Sequence, residues 1–228
     1  MLPKTLIIIP AFNEAQVLAQ VIQGIKAATT SLHPQIVVVD DGSSDGTGRI
    51  AQELGATVLT HRLNRGLGAA LGTGLTYAKM ADADIVVTFD ADGQHHPEDI
   101  LRVVQPILRR RADVVIGTRL RSISSHMPVD RLLVNWLSNF LTWLLFGVWT
   151  SDSQSGFRAF SKKAIELLKL KTERMEVSSE IFAEVRRHQL TLTEVPIRVI
   201  YTAYSQRKGQ STLNALHVFF KLVLRLAR

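Results

Sequence analysis

The feature that most constrains this chain is a series of short, dense apolar runs, each cut off by polar or glycine residues. Leu6-Ile7-Ile8-Ile9 stops at Pro10, and Ile36-Val37-Val38-Val39 stops at Asp40-Asp41-Gly42. Ile85-Val86-Val87-Thr88-Phe89 stops at Asp90, Val114-Val115-Ile116 stops at Gly117, and Thr57-Val58-Leu59 is a further short run. β-Branched runs of this length, without polar alternation, predict strands covered on both faces. Helical periodicity fills the intervals, over 15–30, 46–54, 68–80 and 97–110. Strands and helices alternating at this spacing predict an α/β fold: a mostly parallel central sheet with helices on both faces. In such sheets ligands gather beyond the carboxyl ends of the strands. The polar clusters considered below follow strand ends, so they should converge on one edge.

After residue 117 the rhythm changes. Residues 120–130 read as a polar loop, 162–168 and 176–188 as helices, and 192–201 as a strand interrupted by Pro196. Between Arg131 and Asp152 there is no charge, and the length would span a bilayer. Asn135, Ser138, Asn139 and Thr142, however, draw a polar stripe along one helical face. That predicts a helix over 132–150 that is packed or lies at an interface. Residues 213–228 read as a basic amphipathic helix, with His217, Lys221, Arg225 and Arg228 on one side. Such a helix suits an anionic membrane surface or packing on the domain. The simplest organisation is one catalytic-type domain over 1–212 followed by that helix. The first ten residues lack the long apolar core of a signal peptide, which suits a cytoplasmic protein.

Composition narrows the chemistry. The chain contains no cysteine, which excludes disulfide scaffolds, thiolate metal sites and a cysteine nucleophile. Lys and Arg number 27 against 20 Asp and Glu, a net charge of +7 that suits an anionic partner such as nucleic acid, acidic lipid or a phosphorylated substrate.

Three clusters carry candidate chemistry. Asp90-Ala91-Asp92 leaves a strand with two carboxylates one residue apart, a pattern that suits Mg²⁺ or Mn²⁺ or, more plainly, a solvated turn. His95 just after it reads as a surface residue. Asp40-Asp41-Gly42-Ser43-Ser44-Asp45-Gly46 imitates the start of a calcium loop, but a strand precedes it and Gln52 stands where a bidentate Glu is required. It reads better as a turn that accepts hydrogen bonds from a ribose or base, with helix capping by Ser44 or Asp45 as the plainer account. Gly66-Leu67-Gly68-Ala69-Ala70-Leu71-Gly72 is spaced wrongly for a dinucleotide fingerprint and reads as a tight turn into a helix. Arg119, Arg131, Arg158, Arg207 and Lys208 stand at loops and helix starts, where arginine can clamp phosphate.

Taken in order, these pieces resemble glycosyltransferase family 2. The resemblance rests on Ile7 to Glu14, Val37 to Thr47, Asn64 to Ala70, Asp90 to His95, Gly117-Thr118-Arg119 and Ser155-Gly156-Phe157-Arg158-Ala159-Phe160. It covers roughly residues 4–212 and looks like the dolichyl-phosphate mannosyltransferase branch, which transfers sugar to a polyprenyl phosphate. It implies a GT-A fold, a nucleotide-sugar donor and a divalent metal, Mg²⁺ or Mn²⁺. It implies that Pro10, Phe12, Glu14, Val39 and Asp41 hold the nucleoside, and that Asp90, Ala91, Asp92 and Gln94 form the metal and diphosphate site. Arg119 and Arg131 match arginines that contact phosphates of donor or acceptor. Asn135 replaces a serine of the family pattern, and Asn139 matches a family asparagine. In Arg207-Lys208-Gly209-Gln210-Ser211-Thr212, Arg207 or Lys208 stands for the phosphate contact near the C-terminus, with Ser211 beside it.

The activity implied is inverting transfer of mannose or glucose from a nucleotide-sugar to a polyprenyl phosphate. The protein would be peripheral on the cytoplasmic face of a membrane, with room for an anchoring subunit and without a nucleic-acid partner. The rival within the family is a hydroxyl acceptor, which needs a base; Glu176 and Glu180 are the candidates. Rivals outside it are a nucleotide-sugar pyrophosphorylase and a non-catalytic basic binding module.

Overall fold

The computed structural model describes residues 2–119 and 129–200, with the side chains of 129–134 and 141 left aside. The Arg131 side chain, Arg207, Lys208, Ser211 and the helix read over 213–228 therefore lie outside the described residues. The apolar runs become β1 (Thr5–Ala11), β2 (Gln35–Asp40), β3 (Thr57–Thr60), β4 (Ile85–Thr88) and β5 (Val114–Thr118). Between them run α1 (Ala15–Ala28), α2 (Thr47–Glu53), α3 (Leu67–Met80) and α4 (Asp99–Leu108). The second half adds α5 (Val129–Phe146), β6 (Arg158–Ser161), α6 (Lys162–Leu167), α7 (Val177–Arg187) and β7 (Leu192–Pro196).

All seven strands form one sheet, ordered β3-β2-β1-β4-β6-β5-β7. The pairs β1–β2, β1–β4, β2–β3 and β5–β7 are parallel, as the alternation predicted. Residues of opposite parity along each strand feed opposite layers. Ile7, Ile9, Val38 and Val87 pack with α1 and α4, whose Leu18, Val21, Ile22, Ile25 and Ile100, Val103, Val104, Ile107 recur at steps of three and four. Leu6, Ile8, Val37, Val39 and Val86 pack with α3, α6 and α7. Ile7, Ile8, Ile9, Val37, Val38 and Val39 expose nothing to solvent. Each such burial contributes about 1.5–3 kcal/mol, which is why these runs take the middle of the sheet.

Two features differ from the sequence reading. Residues 158–161 form a strand where no element was expected, and β6 runs antiparallel between β4 and β5. Its four residues, Arg158-Ala159-Phe160-Ser161, carry a charge inside an apolar pattern, which conceals it. The strand read over 192–201 ends at Pro196, whose ring removes the next ladder donor. The chain then bends: Val199 bridges His95, and Ile200 N–H donates to the Gln94 carbonyl. The segment therefore braces the turn that follows β4.

Helix α5 turns its polar stripe inward. Asn135, Asn139 and Thr142 are buried, whereas Trp136, Leu137, Phe140, Trp143 and Leu144 are exposed. The packed or interfacial helix of the sequence reading has both properties at once. No helix among the described residues is long and apolar enough to cross a membrane.

Candidate active site

The carboxyl ends of β1, β2, β4 and β5 lie on one edge, and the predicted clusters meet there. The loops after β1 and β2 are laced together. Asn13 N–H donates to Ser43 Oγ at 2.9 Å, Ser44 N–H to Asn13 Oδ1 at 2.9 Å, and Glu14 N–H to Thr47 Oγ1 at 2.9 Å. Asp45 accepts from Thr47 N–H at 3.1 Å and Ala15 N–H at 3.0 Å, so it serves both helix starts and the capping account holds for it.

Asp41 and Val39 stand at the end of β2. Asp41 is 3% exposed and already accepts hydrogen bonds from Arg65 N–H (3.0 Å), Gly66 N–H (2.7 Å) and the His61 ring at Nδ1 (2.6 Å). It pins the 61–66 turn to the end of β2. Gly66 takes φ 100° there, and a side chain on Gly66 or Gly68 would strike the 172–174 backbone. That supports the reading of this glycine run as a tight turn into α3. The Val39 side chain is wholly in the core, so only its backbone reaches the edge. Pro10 and Glu14 line the cavity described below, and Phe12 is exposed beside them in sequence.

Asp90 and Asp92 stand at the end of β4, both half-buried. His95 is not at the surface: it is 4% exposed, edge-on to Phe89 with ring centroids 5.5 Å apart, with Nε2 2.9 Å from Asp90 Oδ2. The carboxylate accepts, so this nitrogen carries the proton. Burial pushes the Asp90 carboxyl upward, but the His95 hydrogen bond and the charges of His95, Arg119 and Arg158 together hold it below the usual range. Asp92 moves the other way, raised by burial and by the Asp90 charge. Gln94 N–H donates to Asp92 Oδ1 at 2.9 Å and the Gln94 amide nitrogen donates to Asp92 Oδ2, so only its amide oxygen is left as a metal ligand. Gly156 lies directly beneath Asp90: an added Cβ would come within 2.6 Å of the carboxylate carbon.

The donor set fits a hard divalent cation. Two neighbouring carboxylates repel each other in the lining of a cavity, one of them held ionised, and a cation between oxygens would relieve that repulsion.

At the end of β5, Arg119 is anchored to Asp152. Its backbone N–H, Nε and Nη2 reach the two Asp152 oxygens at 3.0, 2.7 and 2.7 Å, and Asp152 is fully buried. The Asp152 loop is held in turn by Glu194, which accepts from Thr150 Oγ1 (2.7 Å) and Ser151 Oγ (2.8 Å). Asn135, expected to touch an acceptor, points inward: it is 4% exposed and its Nδ2 lies 3.4 Å from Asp152 Oδ1. Asn139 accepts from Ser153 N–H at 2.8 Å. Both asparagines latch α5 to the loop that holds Arg119.

A cavity of about 310 Å³ opens on this edge, lined by Pro10, Glu14, Asp90, Asp92, Gly156 and Arg158, among others, and walled by Leu67 and Leu71 of α3, Met175 of the turn before α7 and Ser178 of α7. Asp152, Gly156, Ser178 and the depth of Arg158 were missed by sequence reasoning. The available signal was the Ser155-Gly156-Phe157-Arg158 run itself, a glycine and a charge flanking an apolar residue. Glu180, a candidate base, is spent elsewhere: it accepts from Lys171 N–H at 2.8 Å and Thr172 N–H at 2.9 Å.

A mostly parallel sheet with one antiparallel strand beside an acidic pair, opening on a cleft at the strand ends, defines a glycosyltransferase of GT-A architecture. The chain belongs to glycosyl transferase family 2, whose pattern matches residues 6–168. It is 36% identical to the UDP-N-acetylglucosamine–dolichyl-phosphate N-acetylglucosaminyltransferase of Methanococcus voltae, covering 96% of this chain and 94% of that one. It is 34% identical to the polyprenol monophosphomannose synthase of Mycolicibacterium smegmatis, over 73% of this chain and 65% of that one. An uncharacterized protein of Methanocaldococcus jannaschii is 43% identical over 96% of this chain and 90% of its own length. Within the family the chain is thus of the polyprenyl-phosphate glycosyltransferase-like kind. Among solved structures, glucosyl-3-phosphoglycerate synthase from Mycobacterium tuberculosis with Mn²⁺ and UDP-glucose superposes with a TM-score of 0.71 at 21% identity, covering 99% of this chain and 79% of that one. At that identity the likeness establishes the fold.

Proposed function

We propose that this protein transfers a sugar, with inversion, from a nucleotide-sugar to a polyprenyl phosphate at a membrane surface. The observation that carries the reading is the acidic pair Asp90 and Asp92 over Gly156, facing a cavity that extends from the β1 end to β6. The names of the relatives above add the acceptor class. The sugar is mannose or glucose on the sequence reading, and N-acetylglucosamine is added by the Methanococcus voltae relative.

Asp90 and Asp92, with the amide oxygen of Gln94, would hold Mg²⁺ or Mn²⁺. Bound there, the ion supplies Lewis-acid charge to a departing nucleoside diphosphate. Pro10 and Glu14 border the nucleoside end. Arg119, fixed by Asp152, adds preorganised positive charge near Asp90 at no reorganisation cost during the reaction. A lipid phosphate is already anionic and needs no strong base to attack the anomeric carbon. That fits an edge where Met175, in the turn before α7, and Ser178 of α7 line the cavity while Glu180 is held by its own loop, which removes Glu180 as the base that the hydroxyl-acceptor alternative needs. Arg131, Arg207, Lys208 and Ser211 complete the acceptor site in this proposal.

The test is a donor panel of GDP-mannose, UDP-glucose and UDP-N-acetylglucosamine, with Mg²⁺ or Mn²⁺, against a short polyprenyl phosphate and free sugars. Transfer to the lipid phosphate alone is the expected result; transfer to free sugars alone would overturn the acceptor assignment.

The lipid tail stays in the bilayer, so the protein must meet it there, on the cytoplasmic face in our reading, with or without an anchoring subunit. The outward face of α5 suits that contact. Trp136 stacks on Phe140 at 5.8 Å, Phe140 meets Trp143 at 6.0 Å and Trp143 meets Trp149 at 6.5 Å, an aromatic ladder of the kind enriched at membrane interfaces. The double variant Trp136→Ser, Trp143→Ser is expected to weaken co-sedimentation with anionic vesicles about tenfold or more. Both indoles are exposed, Trp136 at 63% and Trp143 at 45%, so the thermal midpoint should change little. Unchanged vesicle binding would remove α5 from the contact.

A further inference from the structure

Arg158 is a buried charge whose direct hydrogen bonds go to neutral backbone carbonyls. It is 2% exposed, on β6, at the floor of the cavity shared by Asp90 and Asp92. Nε donates to the Ser155 carbonyl at 2.7 Å and Nη2 to the Ser153 carbonyl at 3.0 Å, and its guanidinium carbon lies 5.7 Å from the centroid of the Phe182 ring. No ion pair to it forms among the described residues. A guanidinium has five N–H donors, and these two bonds leave the others uncommitted. Burying a charge whose direct hydrogen bonds go to neutral carbonyls is costly, and the Asp90 and Asp152 charges offset that cost only in part, from beyond ion-pair distance. Here burial lowers its pKa to about 10, against the pull of Asp90 and Asp152. A charge kept at such expense on a cavity floor calls for an anion in the cavity.

The sheet order says which part of a ligand arrives there. The cavity crosses β1 at Pro10, β4 at Thr88 with Asp90 just beyond it, and β6 at Arg158 with Gly156 just before it. In register, Thr88 faces Arg158 across the β4–β6 ladder. A nucleotide with its nucleoside at β1 and its first phosphate at β4 extends its far end over β6. We propose that Arg158 is a phosphate-binding residue of this site, donating to a phosphoryl group at the β6 end of the cavity. The inference rests on the nucleotide-sugar reading above. The phosphoryl group is the distal one of the donor diphosphate or that of the lipid acceptor.

The experiment titrates Arg158→Met with UDP and GDP, and with UMP and GMP, in Mn²⁺, using whichever base the wild type binds, and measures KM for a short polyprenyl phosphate. Loss of a charged hydrogen bond is expected to weaken the diphosphate about 10- to 100-fold and leave the monophosphate within about twofold. Methionine also leaves the Ser153 and Ser155 carbonyls without their donor, so a modest fall in thermal midpoint is expected whichever role Arg158 plays, and the nucleotide and KM comparison decides. If the acceptor is the source, the polyprenyl phosphate KM rises by a similar factor and diphosphate affinity holds, which also supports the proposal. Unchanged affinity and KM would overturn it. Equal loss for mono- and diphosphate with the polyprenyl phosphate KM unchanged would also overturn it, because that is the behaviour of a structural staple. Should the methionine variant not fold, Arg158→Lys, which keeps stem and charge but not the fork, carries the same comparison. A wild type that binds neither nucleotide would undo the nucleotide-sugar reading and this inference with it.

Discussion

Replacing Asp92 with alanine or asparagine is expected to lower sugar transfer by about a thousandfold or more while the protein still folds. Asp92 is half-buried, its side-chain hydrogen bonds run to the neighbouring Gln94, and its charge is opposed by Asp90. The fold therefore loses little when that carboxylate is removed. In the proposed site the chemistry would lose the second oxygen ligand beside Asp90 and with it most of the means to offset charge on a leaving diphosphate. Turnover with the active donor of the panel, measured beside a melting curve, checks both halves. Wild-type turnover would eliminate the metal-site assignment.

A change with no charge in it should do nearly as much. Gly156→Ala places a methyl group within 2.6 Å of the Asp90 carboxylate carbon and nearer still to its oxygens. Its backbone takes no left-handed angle, so the penalty is steric alone. Either Asp90 leaves its seat or the turn before β6 shifts, at about 1–3 kcal/mol of overpacking. Turnover is expected to fall about a hundredfold, because displacements of about 1 Å at a reacting centre cost that much. A double variant carrying Asp90→Ala as well should be no worse than Asp90→Ala alone, because the two changes act through the same carboxylate. Additive losses would show that Gly156 acts elsewhere.

The sequence was most informative where burial on both faces left no ambiguity of period. β1, β2, β4 and β5 were legible as unbroken apolar runs, and the acidic pair was legible because it follows one of them. β6 was not, because Arg158 breaks its pattern and its partners lie far away in the chain. His95 was misjudged for a related reason: a polar ring after a turn is ordinarily solvated, and only the Phe89 and Phe157 rings around it show otherwise. The polar stripe of α5 was visible, but not its direction. Asn135 and Asn139 turn inward because Asp152 and the 151–153 backbone offer them partners, which spacing alone does not reveal. Asp41 illustrates the same limit, since a carboxylate placed to meet a ligand can be satisfied first by its own loop.

The antiparallel strand also sets the order in which a newborn chain becomes competent. β1 to β4 can assemble from neighbours as they emerge. The seat of Asp90 cannot, because Thr88 Oγ1 closes onto the Gly156 carbonyl 68 positions downstream. Closing so wide a loop carries an entropic cost that is repaid only once β6 slots between β4 and β5. A ribosome-bound fragment ending before that point would own both acidic side chains and lack the floor they rest on. Catalytic readiness is thus a late event in synthesis, gated by the return of a four-residue strand.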